Sequence, residues 1–531
     1  MGLLGAFFIN KMDRYRRYII FCFFAALFCL GFALYRDYGI SCDEPHSRQT
    51  AGRIYQSLLT GDKAIRPLAD TPHGNFYGLF LIFLEKSLRI DDTRQIFLMR
   101  HGINYLIFLL GCVAFYFLCR SHFKSWKIAM VGALFLVASP IIFSNAFYNP
   151  MDLPFMSFFI INIYLLLRFL RKKSFLGAVV LAAASSFLMQ VRVAAIFIPC
   201  SLLLFLLLEL VEAQTEPAAA RRIAFLLVFY LALFLFFTAF LNPTVPRAAR
   251  FLRYYMIACK VAQHIPYYKT YLYCGKVIQA TSPPWHYLPV WMVITTPLTY
   301  VCFFLLGLVI SVRHAVSVNG KAGSCDAREL ALFGLWLFLP IGFIMATRAM
   351  VYDGWRHLFF VYPAFLIFTL HGCLGFFKVL KRLTSKWISR LLFAAAMSAV
   401  AVDLGTAVAF MIRYHPMESL YFNSIVGGIR GAKNKFDLDY WGLSYERALR
   451  HILSTDRDDI IDIYFDRCGS PSVDFLEAGL RQRVRVVDNI KQAKYFISNF
   501  KGRLEEYPSL VNEFFSVKVD GVKILAAYKL K

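Results

Sequence analysis

Charge is scarce in this chain. Only 17% of its 531 residues are Asp, Glu, Lys or Arg, while 59% are hydrophobic; an ordinary soluble domain is about 25% charged and about 45–50% apolar. With a mean hydropathy of +0.55, this excludes a disordered protein, a collagen and a disulfide-stapled mini-protein, and it argues against a purely soluble enzyme. The 12 cysteines form no CxxC pair and no ligand-like spacing, so neither a zinc module nor a disulfide framework is indicated. Most lie in apolar runs, where Cys acts as a small hydrophobe. No HExxH, P-loop or GxGxxG stands in a supporting context, which removes a cytoplasmic nucleotide site. No internal repeat points to an inverted-repeat transporter.

What is present is long apolar runs. A spanning helix needs about 20 mostly apolar residues. Eleven runs are candidates: 18–34, 102–119, 128–145, 153–170, 174–191, 193–210, 223–241, 287–311, 330–346, 358–377 and 391–411. The 54 Phe and 29 Tyr suit lipid-facing and interfacial surfaces. The net charge of +25 does not indicate nucleic acid, because Lys and Arg sit at the ends of the apolar runs, as the positive-inside rule requires. With the N-terminus in the cytoplasm beside Lys11, Arg14, Arg16 and Arg17, every second loop is basic, through Arg120 and Lys124, Arg171 to Lys173, Arg221 and Arg222, and Lys378 to Arg390. The loop at 148–152 has no Lys or Arg. Eleven spans then put the C-terminus outside. The first run follows a basic segment, like a signal peptide, but no small-residue cleavage site follows it, so it reads as an uncleaved first helix.

Three hydrophilic regions face outward in this topology: 35–101, 242–286 and 412–531. Residues 1–411 read as a transmembrane domain with two long outer loops, and 412–531 as a soluble extracytoplasmic α/β domain. In the latter, 460–465, 483–487, 494–498, 514–519 and 523–528 read as strands, with helices at 443–453 and 473–480.

The unusual polar clusters are expected on that one side. Asp43 and Glu44 follow the first span directly. There, partial desolvation suits a carboxyl to act as a base; the alternative is a solvated juxtamembrane turn. Asp152, in Asn149-Pro150-Met151-Asp152-Leu153-Pro154, is either a functional acid or a helix N-cap. Arg192, at the turn between the fifth and sixth spans, either snorkels or pairs with an anion. Arg356 and His357 either bind a phosphate or form a turn in which Arg356 clamps Asp353. Region 242–286 carries Arg247, Arg250, Arg253, Lys260, Lys269 and Lys276 among tyrosines, and ends in Trp285-His286-Tyr287. It either holds an anionic head group or anchors at the interface. Asp403 lies in the last span with no partner to name, and His371 reads as a satisfied core histidine.

These clusters, in this order, resemble the polyprenyl- and dolichyl-phosphate-sugar dependent glycosyltransferases of the GT-C membrane fold, with the protein O-mannosyltransferase and aminoarabinose transferase group (family 39) most similar. The carrying residues are Asp43-Glu44, the 149–154 segment, Arg192, Thr295-Thr296-Pro297 after Trp285-His286-Tyr287, 352–357, 415–423 and Asp439-Tyr440-Trp441-Gly442. The resemblance implies a sugar carried on an isoprenoid phosphate, attacked at its anomeric carbon by an acceptor hydroxyl. It implies Asp43 as the key carboxylate, with Glu44 and Asp152 near it, and Arg192, His286, Arg356 and His357 on the substrates. Some members use a divalent metal and others none; Asp43 and Asp152 offer two hard oxygen donors, too few to assign a site. Protein mannosyltransferases carry a larger, different domain in an outer loop, so the acceptor stays open among lipid, glycan and protein. The competing readings are a transporter or flippase for lipid-linked glycans, which should show broken helices and polar residues at the bilayer midplane, and a non-catalytic scaffold, which would not need the acidic pair.

Overall fold

The computed structural model describes residues 13–61, 76–241, 270–281, 283–317, 325–467, 469–507 and 512–531. Arg247, Arg250, Arg253, Lys260 and Lys269 lie outside them. Every one of the eleven apolar runs is helical, because lipid offers no partner to a free backbone N–H or C=O and a helix satisfies them internally. By length and composition, eight described helices can cross a membrane, or nine if the bent pair Trp126–Val137 and Pro140–Tyr148 counts as one span; Phe175–Met189 and Leu298–Arg313 are shorter apolar helices. Large side chains such as Phe21, Phe240 and Trp387 are exposed on the outer surface of the bundle, as lipid contact requires. The chain is an all-α multi-pass membrane protein with a small C-terminal α/β region.

Two runs expected to be continuous are broken. The run at 128–145 bends by 67° ahead of Pro140, whose missing N–H and bulky ring end one helix and start the next. The run at 287–311 divides into Tyr287–Ile294 and Leu298–Ser317 around Thr295-Thr296-Pro297. Carbonyls left open at that break are met by Asn423, whose Nδ2 donates to Val293 O at 2.6 Å and Thr296 O at 2.7 Å, while its N–H reaches Ile294 O at 2.8 Å. Just beyond the break, Asp403 Oδ2 accepts from Thr299 N at 2.8 Å and Thr299 Oγ1 at 2.6 Å. Asp403 therefore caps the resumed helix with otherwise unpaired donors. Helices Leu298–Ser317 and Tyr362–Arg382 cross very closely. A Cβ at Gly307 would lie 1.8 Å from Phe368 O, and one at Gly372 would lie 1.8 Å from Phe303 O, so only glycine permits the approach.

Hairpin β1 (Thr270–Tyr273) and β2 (Lys276–Gln279) turns through Cys274 and Gly275 at φ 50° and 76°, a left-handed pair typical of two-residue hairpins. The C-terminal sheet contains β3 (Ile461–Phe465), β4 (Val484–Val486), β5 (Tyr495–Ser498), β6 (Glu513–Val519) and β7 (Val522–Lys529) in the order β4-β3-β5-β7-β6. Strands β3, β4 and β5 are parallel; β7 runs antiparallel to β5 and β6. Helix Tyr445–Thr455 covers it with Tyr445, Ala448, Leu449 and Ile452 buried, the spacing of an amphipathic face. The expected strands are thus all present. Region 412–445 does not stand apart from the bundle: Tyr38 Oη donates to Glu418 Oε1 at 3.0 Å, and Cys42 N reaches Trp441 O at 3.2 Å.

Candidate functional site

The site lies where the C-terminal region meets one end of the bundle. Asp43 and Glu44 occupy the first turn of helix Asp43–Thr60, where the helix dipole favours negative charge. Their side chains then part. Glu44 Oε2 accepts from Ser41 N at 2.8 Å, and Oε1 lies 2.9 Å from His101 Nε2. Its 1% exposure and its return to the residue three before it, in the manner of a capping box, make it a structural acid. Asp43 keeps a 27% exposed side chain and accepts from Arg356 Nη1 at 2.6 Å.

Arg356 is the centre of the cluster. It follows a tight turn in which Asp353 and Gly354 both have left-handed φ, 56° and 73°. Gly354 N donates to Tyr287 Oη at 3.2 Å, and Trp355 Nε1 to Thr295 Oγ1 at 2.8 Å, so the two ends of helix Tyr287–Ile294 anchor the turn. The guanidinium lies 4.6 Å from the Trp441 ring centroid and 5.1 Å from that of Tyr352, within cation–π range. Besides Asp43, it faces Asp152 at 3.5 Å and Asp353 at 3.6 Å. Its Nε is buried with no hydrogen-bond partner among the described residues. The expected Arg356–Asp353 clamp is therefore the longest of three contacts.

Asp152 is the first residue of helix Asp152–Arg171 and does not cap it. Asn149 fills that place, its Oδ1 accepting from Met151 N at 3.2 Å and Asp152 N at 2.8 Å. The Asp152 carboxylate is left for Asn149 Nδ2 at 3.1 Å, for Arg356 and for an ion pair with Arg192. Of the two readings of Arg192, pairing with an anion is the one that holds.

The structure thus brings Asp43, Asp152, Arg192 and Arg356 together, and sends Glu44 to His101. The His357 ring packs edge-on against Tyr352 at 4.9 Å, and His286 Nδ1 lies 2.6 Å from Tyr273 Oη on the hairpin. Two openings are lined by sequence neighbours of these residues. A groove of about 980 Å³ runs from Cys42, Pro45 and His46 along helix Asp43–Thr60 to Arg48 and Glu85. A cleft of about 340 Å³ lies between Pro284, Trp285, Tyr287, Arg348 and Val351.

Metal does not fit the two expected donors. Asp43 and Asp152 both turn to guanidinium groups, which would face any cation between them, and among the described residues no group of three or more His, Cys, Asp or Glu is placed to hold an ion.

Sequence reasoning missed Lys501, for which a lone lysine after a strand gives no signal, and the junction acid Asp437; Asp439 entered only as part of the 439–442 segment, without a role of its own. Burial pushes the Asp437 carboxyl up to about 6, against the pull of the Gly502 N–H and Lys501; burial also raises Asp439. His415, between Glu418 at 2.6 Å and Asp37 at 3.1 Å, is raised because those hydrogen bonds and charges outweigh its burial. The expectation that polar clusters gather on one side is corrected by a second cluster at the other end of the bundle. There Glu329 meets His122 at 2.7 Å and Arg171 at 2.5 Å, and His122 Nε2 lies 2.8 Å from His371 Nε2. His371 is satisfied, as expected, but within this polar set.

The family model described as dolichyl-phosphate-mannose-protein mannosyltransferase matches residues 81–241. No curated protein matches the chain. Among solved structures, ArnT from Cupriavidus metallidurans in the apo state is 13% identical, with 96% of this chain and 98% of that chain covered and a TM-score of 0.49. The archaeal oligosaccharyltransferase AglB from Archaeoglobus fulgidus, in complex with an inhibitory peptide and a dolichol-phosphate, is 10% identical, with 92% and 70% covered and a TM-score of 0.48. Over residues 81–241, the segment that carries Asp152 and Arg192, this multi-pass membrane chain is similar to the dolichyl-phosphate-mannose-protein mannosyltransferase family.

Proposed function

We propose that this protein is an integral membrane glycosyltransferase that moves a sugar from a polyprenyl-phosphate donor to an acceptor hydroxyl on the extracytoplasmic side. One observation carries the reading: Asp43 and Arg356, 313 residues apart in sequence, meet at 2.6 Å, with Asp152 and Arg192 beside them. A partly exposed carboxylate against a buried guanidinium supplies the two groups such a transfer needs. The acceptor oxygen attacks the anomeric carbon, and its proton passes to the Asp43 carboxylate. The bond from that carbon to the phosphate oxygen breaks, and its electron pair leaves with the polyprenyl phosphate. Negative charge grows on the leaving phosphate, where Arg356 keeps a permanent charge and a planar fork. His357, next in the chain, is the second donor in this reading. As the phosphate takes a share of Arg356, Asp43 is loosened from its ion pair and becomes the stronger base. Asp152 and Arg192 hold the guanidinium in place. The aromatic cleft flanking His286 suits the amphiphilic donor, and the polar groove along helix Asp43–Thr60 suits the acceptor.

The orientation is supported by the bundle's opposite end, where Arg120, Arg168, Arg171, Arg382 and Lys386 collect at helix termini, as cytoplasmic ends do. A reporter active only outside the cytoplasm, fused after Lys531, should give signal; silence there, with signal after Arg390, overturns the side. The reaction is tested in proteoliposomes loaded with a polyprenyl-phosphate-linked sugar. Release of free polyprenyl phosphate coupled to sugar transfer supports the enzyme. Movement of the intact lipid-linked sugar between leaflets without cleavage makes the protein a transporter instead.

A further inference from the structure

The turn after β5 inserts a lysine beneath the site. Lys501 is 7% exposed, a burial that lysine accepts only when paired. Its Nζ reaches Asp353 Oδ1 at 2.7 Å and donates to Tyr440 O at 3.1 Å. Asp353 Oδ2 in turn faces Arg356 Nη2 at 3.6 Å. The turn has little freedom to place the side chain elsewhere. Asn499 Nδ2 donates to Asp439 O at 2.7 Å, and Gly502 N to Asp437 Oδ1 at 2.7 Å. Phe500 and Gly502 both adopt left-handed φ, 58° and 69°; for Phe that is a costly conformation held by its surroundings. Both anchoring acids belong to the strip that ends in Trp441, on whose ring the Arg356 guanidinium rests.

We propose that Lys501 is a positioning residue, supplied by the C-terminal domain, that holds Asp353 away from Arg356 and so keeps Arg356 available to the phosphate of the donor. The inference rests on the transferase reading above. Three carboxylates, on Asp43, Asp152 and Asp353, are matched by three cations, Arg192, Arg356 and Lys501. Taking Lys501 away leaves one uncompensated negative charge within a few ångströms of the incoming phosphate. Asp353 is then free to close on Arg356 and compete for its fork. Both effects weaken the ground-state hold on the donor phosphate. Neither touches the proton acceptor directly, so donor KM should move more than kcat. The C-terminal domain is in this way part of the site.

The test uses the full-length protein in nanodiscs, with a short-chain polyprenyl phosphate as probe and intrinsic tryptophan fluorescence as one readout beside transfer kinetics. Lys501→Met should weaken polyprenyl phosphate binding and raise donor KM by about 10–100-fold, the scale of one unit charge at this distance in a partly screened site, with a smaller change in kcat. Lys501→Arg keeps the charge and should recover most of the loss. The decisive variant is the double change Lys501→Met with Asp353→Asn, which removes the stranded carboxylate and should restore binding to within a few-fold of the parent. If Lys501→Met binds the probe as the parent does, the inference is overturned while the transferase reading stands. If the double variant is as impaired as the single one, Lys501 is a structural anchor and the inference is again overturned. Should Lys501→Met fail to fold, the pair Lys501→Arg and Asp353→Asn decides: tighter probe binding in Asp353→Asn supports the inference, and unchanged binding in both overturns it. A parent protein that binds the probe but transfers no sugar defeats the transferase reading separately.

Discussion

Helix Thr93–Phe123 carries a polar cluster at each end, and the two are built from similar residues for different purposes. His101, near its start, takes Glu44 beside the Asp43–Arg356 pair; His122, near its end, takes Glu329. The 21 helical steps from His101 to His122 span about 32 Å, close to the thickness of a bilayer's hydrocarbon core. At the His122 end one carboxylate is saturated. Glu329 is 4% exposed and is gripped by His122 and Arg171, which together staple the ends of helices Thr93–Phe123, Asp152–Arg171 and Cys325–Thr347. At the other end one guanidinium is divided among three carboxylates, two of them at 3.5 Å or beyond, and the nearest remains open to solvent. Saturation marks the first as a structural tie. Shared, unequal contacts with an open edge mark the second as a place where a ligand can displace a partner at low cost.

The sharpest way to break this comparison is to neutralise one acid at each end. Asp43→Asn keeps the size and the helix start and removes the proposed base. Transfer should fall by about 10²–10⁴-fold, the usual share of general acid–base catalysis, with melting changed by no more than a few degrees. Near-normal transfer would move the role to Asp152. Glu329→Ala should do the reverse, because it leaves Arg171 and His122 without their partner. Stability should drop by about 3–5 kcal/mol, as when one member of a buried pair is removed, while activity per folded molecule is kept. Unfolding in a detergent titration, read beside specific activity, checks both.

A smaller effect distinguishes Asp43 from its neighbour. Glu44→Gln retains an acceptor for Ser41 N but loses the charge facing His101, so about 1–3 kcal/mol of stability should go, with transfer reduced far less than in Asp43→Asn. Equal losses of transfer in the two variants would erase the distinction between a structural and a reactive acid.

The smallest effect is on pH. Asp437 has a folded pKa of about 6, above its ordinary value, so its buried charge destabilises the fold above pH 6 and the burden is relieved as pH falls from there towards 4. His415 is also raised, so its stabilising contribution is complete below its ordinary value near 6.5 and is lost as pH rises through the higher folded value. Both act at the junction under the site and both favour mild acid. Stability should therefore rise by about 1–3 kcal/mol between pH 8 and pH 5. A carboxylate held low in the C-terminal region, such as Asp456 at about 2 beside Lys494, withdraws its contribution only below about pH 4. His415→Gln should flatten the upper part of that curve; an unchanged slope would remove His415 from the account.

Local pattern alone determined the helices, the strands and the order of the motifs along the chain. Twenty-residue apolar runs have one stable form in lipid, and the short strand runs expected at 460–465 and 523–528 appear as β3 and β7. Ser41 and Glu44 also stand at capping-box spacing, so the structural role of Glu44 was legible, though the acidic pair drew attention as a unit. What only the tertiary structure decided was which charges share a partner. Asp152 finds Arg192 only because two helices pack side by side, Arg356 finds Asp43 across 313 residues, and Lys501 reaches Asp353 only because a sheet docks on the bundle. The helix break ahead of Pro297 was likewise settled by what met it, with Asn423 supplying donors to the open carbonyls. Hydrophobic burial acts through period and length, which a linear sequence displays. Charge pairing acts through distances of a few ångströms between remote residues, which it does not.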